Sequence, residues 1–156
     1  MRSESIVRRN GASQEGVDFM FDPSPLDSAA GLYLDLQAAP GRGLHALQHH
    51  EIVRGVVSYV EENYAASISL RHVAQALGYS PAHLTHMFSS LTGIPVTAWI
   101  IKRRLFAAQE LLIETRQDVT NVCEAVGFKD VSYFTRQFVR HVGVTPIQFR
   151  SANKMR

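Results

Sequence analysis

The chain has 156 residues, 46% of them apolar, enough for one domain or for two very small ones that share a core. It has no run of about 18 apolar residues, which argues against a transmembrane helix. No apolar segment follows the basic residues of MRSESIVRRNGASQEG, which argues against a secretory signal; the single cysteine, Cys123, forms no internal disulfide and fits a reducing, cytoplasmic compartment. The formal net charge of +2 is unevenly spread: residues 1–50 hold 4 Lys and Arg against 6 Asp and Glu, and the chain from Glu51 onward holds 12 against 8. That excess is modest for a nucleic-acid binder.

Residues 1–46 are rich in Gly, Ala, Ser and Pro. Within them only GLYLDLQ (31–37) alternates, as one strand would. The segment reads either as a flexible leader or as the remnant of a preceding domain. From about Leu47 the pattern becomes helical. Ile52, Val53, Val56, Val57 and Val60 recur at three- and four-residue steps, one face of a helix. Ser69 then precedes LRHVAQAL, which ends at Gly78. Ser80 is an N-cap with Pro81 at the first helical position, and HLTHMFSSL runs to Gly93. Pro95 opens the long helix VTAWIIKRRLFAAQELLIE, to residue 114. Asp118 caps VTNVCEAV, which stops at Gly127, and Asp130 caps VSYFTRQFVRHV, which stops at Gly143. Thr145-Pro146-Ile147-Gln148 has the spacing of a capping box. About seven helices result, an all-α fold over residues 47–152 with a short tail at 153–156.

Two stretches repeat. Val73, Ala74, Leu77, Gly78 and Tyr79 match Val122, Cys123, Val126, Gly127 and Phe128 at an offset of 49; Leu84, Thr85, His86, Phe88 and Gly93 match Phe134, Thr135, Arg136, Phe138 and Gly143 at 50. One residue is inserted in the second turn, within Lys129-Asp130. Each copy, at about 69–92 and 118–142, is a short helix, a glycine-bearing turn and a second helix, the helix-turn-helix pattern. In that motif the second helix enters the major groove of DNA. The helix between the copies, Pro95 to Glu114, spans about 30 Å at 1.5 Å per residue. Successive major grooves on one face of B-DNA are about 34 Å apart, so one chain is expected to place two reading helices in adjacent grooves.

VCEAVGFKDVSYFTRQFVRHVGVTPIQFR (122–150) resembles the signature of the AraC/XylS family of bacterial transcription regulators, and RRLFAAQELL (103–112) resembles that family's linker helix. The resemblance covers about residues 51–151. It implies two homeodomain-like three-helix units joined by a long helix, sequence-specific binding to double-stranded promoter DNA, and activation through contact with RNA polymerase. It implies no cofactor. The family's effector-binding domain is far longer than the fifty residues that precede the helices here, so no small-molecule effector is assigned.

Candidate DNA-contacting residues follow from the faces left free by the apolar positions. In the second reading helix these are Val131, Ser132, Tyr133, Arg136 and Arg140, with Lys129 in the turn. Arg136 suits bidentate contact with guanine O6 and N7, the alternative being a phosphate or a surface ion pair. Val131 suits a thymine methyl, and Arg140 and Lys129 suit phosphates. In the first reading helix the matching face is Ala82, Thr85 and His86. A neutral imidazole is a weaker anion partner than guanidinium, so this unit is expected to contribute less. Helix N-termini behind Gly93 and Gly143, the latter with Thr145 and Ile147, are expected to turn backbone N–H groups toward phosphates. Lys102, Arg103 and Arg104 on the linker either meet DNA or pair within the chain. Trp99, Leu105, Leu111, Leu112 and Cys123 read as core. His45, His49 and His50 lack the further ligands of a zinc site.

Two other functions compete. The family's module also occurs fused to a DNA-repair alkyltransferase, but that chemistry needs a reactive cysteine, and no triad, P-loop or dinucleotide motif is present. A protein-interaction module that has lost specific DNA binding and titrates a partner is the other alternative.

Overall fold

Seven helices run through the described residues 44–153 of the computed structural model, with no strand among them; side chains are described from His49 onward. The possible strand at 31–37 and residues 154–156 lie outside these, as does the side chain of His45, the first of the three clustered histidines. The helices are α1 (Leu44–Asn63), α2 (Leu70–Leu77), α3 (Pro81–Thr92), α4 (Val96–Glu114), α5 (Val119–Ala125), α6 (Val131–Val142) and α7 (Pro146–Asn153). α1 starts three residues before the expected Leu47, and α5 ends at Ala125. Val126 already leaves helical geometry at ψ 7°, because the following turn bonds back into the helix.

Starts and stops are chemical. Ser80 Oγ accepts from His83 N at 3.2 Å, Asp118 Oδ1 from Asn121 N at 2.7 Å, and Asp130 Oδ1 from Tyr133 N. Each satisfies a donor that the first helical turn leaves open. The Thr145 box forms in full: Thr145 N donates to Gln148 Oε1 at 3.0 Å and Gln148 N to Thr145 Oγ1 at 3.3 Å. α2 carries an unexpected variant. His72 occupies the place of the usual Glu or Gln, and its Nδ1 accepts from Ser69 N at 3.1 Å.

Two cores form. Ile52, Val53, Val56, Val60, Val73, Ala74, Leu84, Phe88, Val96, Trp99 and Ile100 make the first, between α1, α2, α3 and the start of α4. Leu105, Ala107, Ala108, Leu112, Val122, Cys123, Phe128, Phe134, Phe138 and Phe149 are among those making the second. The linker helix therefore gives its N-terminal half to one core and its C-terminal half to the other. Leu111, expected in the core, is only half-buried at its margin; Leu112 next to it takes the inward position. Among the described residues no single helix is long and apolar enough to cross a membrane.

Candidate nucleic-acid interface

The repeat is built twice in three dimensions, bond for bond. Tyr79 N donates to Ala74 O at 2.9 Å, and Phe128 N to Cys123 O at 3.0 Å. These are the closing bonds of a Schellman turn, and the glycines before them have φ 75° and 91°. Counted back from the N-caps Ser80 and Asp130, the inserted residue is Lys129. Both second helices end in the same way, with Gly93 N and Gly143 N each 2.8 Å from Ser89 O and Val139 O. The repeat also runs further than the sequence suggests. Phe88 meets Trp99 edge-on at 6.2 Å between ring centres, and Phe138 meets Phe149 edge-on at 5.6 Å. Trp99 and Phe149 stand at the same offset of 50, but their different types hide the match.

Leu84 and Phe88 bury one face of α3, and Phe134, Phe138 and Val142 one face of α6. The opposite faces are open. Ala82 and His86 are exposed and Thr85 is half-buried; Ser132, Tyr133, Arg136 and Arg140 are exposed, as is Lys129 in the turn. Val131, expected to be free for a thymine methyl, is half-buried against the second core. Tyr133 is 39% exposed and its ring lies 6.1 Å from that of Phe128, so the turn holds it in place. The first copy repeats this with His83, whose ring lies 5.5 Å from Tyr79. His83 is the counterpart of Tyr133 at offset 50 and belongs to the same face, a position the repeat itself could have supplied.

The Arg136 guanidinium carbon is 6.0 Å from the Tyr133 ring centre, and among the described residues no carboxylate lies within ion-pair distance of it. α3 carries no Lys or Arg, whereas α6 carries Arg136 and Arg140. The expectation for the helix N-termini divides. Proline at position 95 offers α4 no capping side chain. At α7, Thr145 N–H and Gln148 N–H are already taken by the capping box and Pro146 has no N–H. Thr145 is thus occupied within the chain, while Ile147 is 66% exposed.

The linker arginines resolve as intramolecular. Arg103 Nε sits 2.8 and 2.7 Å from the two carboxylate oxygens of Glu61, with its guanidinium over Tyr64 at 4.3 Å. Arg104 donates to Tyr64 O and Ala66 O, both at 2.8 Å. Burial lowers the Arg104 pKa and the nearby Tyr133 opposes that; the guanidinium stays charged at neutral pH. Arg150 Nε reaches Leu112 O at 3.2 Å, tying α7 to the last turn of α4. Cys123 is buried; burial first, then the Glu124 and Asp130 carboxylates, pushes its thiol pKa up. No group of three or more His, Cys, Asp and Glu side chains suited to a metal occurs among the described residues.

A family model described as a helix-turn-helix domain matches residues 73–152, just over half of the chain and both reading helices. The chain belongs to the AraC/XylS family. The arabinose operon regulatory protein of Escherichia coli strain K12 is 36% identical to this AraC-type chain over 100 residues, 64% of this chain and 34% of that protein. The bifunctional transcriptional activator/DNA repair enzyme AdaA of Bacillus subtilis strain 168 is 29% identical over 100 residues, 64% of this chain and 47% of that one. The chain thus spans between a third and a half of these relatives. Among solved structures, the DNA-binding domain of the global transcriptional factor AdpA, determined with a target DNA, superposes with a TM-score of 0.61 at 27% identity, covering 64% of this chain and 90% of that one.

Proposed function

We propose that the chain is a sequence-specific DNA-binding transcription regulator, acting in the cytoplasm as an activator with RNA polymerase as its partner, and that one copy lays α3 and α6 in successive major grooves. The observation that carries this reading is the twice-built turn. Two open faces of matching geometry are fixed on one shared helix of 19 residues, about 28 Å long. Arg136 is assigned to a guanine, Ser132 and Tyr133 to neighbouring base edges, and Lys129 and Arg140 to phosphates. Ala82, Thr85 and His86, joined by His83, read the other groove without a Lys or Arg. Uncapped N–H groups at the start of α4 suit a phosphate. The AdpA domain, bound to its target DNA, supports the reading. Repair chemistry is not part of it: a buried thiol with a raised pKa is the reverse of an activated nucleophile.

In vitro selection of duplex DNA with the purified chain tests the proposal. The expected outcome is a bipartite site bound in preference to scrambled DNA at every salt concentration. Binding without sequence preference would favour the partner-titrating module instead.

A further inference from the structure

The two helix-turn-helix units meet at a joint beside the linker helix. The loop after α1, Tyr64 to Ala66, is gripped from two sides. On one, Arg104 donates to Tyr64 O and Ala66 O at 2.8 Å each. On the other, Gly127 of the second turn comes so close that a Cβ there would lie 2.6 Å from Tyr64 O and 2.9 Å from Ala65 O. Tyr64 packs against both cores, and Arg103 stacks over its ring while held by Glu61. The Arg104 guanidinium also lies 5.6 Å from the centre of the Phe128 ring. Phe128 touches Phe134 and Tyr133 at 5.2 and 6.1 Å between centres, both in the first turn of α6. A single arginine thus links the loop of the first unit to the start of the second reading helix. The equivalent glycine of the first copy, Gly78, has nothing within 4 Å of its would-be Cβ; the close approach belongs to the second copy alone.

We propose that Arg104 and Gly127 are positioning residues that fix the angle and phase between α3 and α6, so that the chain discriminates the spacing between two half-elements as well as their sequence. This rests on the DNA-reading function proposed above. Inserting one base pair moves the second half-element by about 3.4 Å and turns it by about 34°. A hinge would absorb that change; a clamped joint would not.

The test uses the selected bipartite duplex, versions with one to three base pairs inserted between its halves, and a duplex holding only the half read by α6. Wild type is expected to lose about tenfold or more in affinity on a two-base-pair insertion, the order of one mismatched contact. Arg104→Gln removes both carbonyl bonds. It should shrink that penalty to about threefold or less while binding the single half within about twofold of wild type. Arg104→Lys, which keeps the charge but offers a single donor nitrogen in place of the guanidinium fork, should fall between them. Equal insertion penalties in all three proteins would overturn the proposal, as would single-half binding lost in step with two-half binding, since that marks a role in folding alone. A wild type that binds the single half specifically but ignores spacing overturns the joint and leaves the regulator reading standing. A wild type with no preference for selected over scrambled DNA brings down both.

Discussion

Gly78 and Gly127 look interchangeable in the sequence and are not. Both hold a left-handed φ that a Cβ disfavours by about 1–2 kcal/mol, so Gly78→Ala should cost about that much in urea denaturation. Gly127→Ala adds a contact with backbone oxygen at 2.6 Å that no rotamer relieves, and its loss should be clearly larger in the same titration. Arg136 and His86 differ in the same way for binding. Arg136→Ala should cost about 1–3 kcal/mol on the selected duplex and relax one base pair, and His86→Ala should cost less. Competition binding on both variants measures the difference. Cys123, buried and with its pKa raised by burial, should resist a thiol reagent at neutral pH until the chain is unfolded, because the reactive thiolate is then scarce.

At the scale of elements, polar caps and aromatic pairs do different work. Asp130 caps the helix that carries Arg136, so Asp130→Ala should cost about 1 kcal/mol of stability and raise the amide exchange rate of Tyr133. The Thr145–Gln148 box defines α7, which holds Phe149 against Phe138 and Arg150 against the end of α4. This places α7 in the framework behind the second reading helix and leaves the Ile147 N–H as the donor of its first turn that the capping box does not take. The first unit reaches the same arrangement with Trp99 on Phe88, supplied by the linker helix. One helix thereby closes the first repeat and opens the second.

For the whole molecule, the two-groove reading proposed above makes one chain do the work of a pair of ordinary helix-turn-helix subunits. Footprinting of the purified chain on its selected site should show two protected patches about one helical turn apart. The charge in the turn before α6 has a measurable consequence. If Lys129 meets a phosphate, Lys129→Ala should reduce the salt slope of binding by about 1 and weaken all sequences alike. An unchanged slope would assign it to solvent.

Much of this was legible in the chain alone, because it rests on local chemistry. Caps at Ser80, Asp118, Asp130 and Thr145 and left-handed glycines act within a few residues, so helix boundaries are written where they occur. The repeat exposes the core aromatics and the reading faces in the same way, including Arg136 opposite Phe134. What the sequence left open were long-range matters. The linker arginines find their partners about forty residues away, Arg103 on Glu61 and Arg104 on the carbonyls of Tyr64 and Ala66. Val131 is more buried, and Leu111 less, than the periodicity suggests. The second role of Gly127 exists only because a loop more than sixty residues earlier in the chain passes against it. The sequence by itself determined two copies of a DNA-reading motif on one rod. Only the tertiary structure decided how the copies face one another, because that depends on backbone carbonyls, which every residue carries and no side-chain pattern reveals.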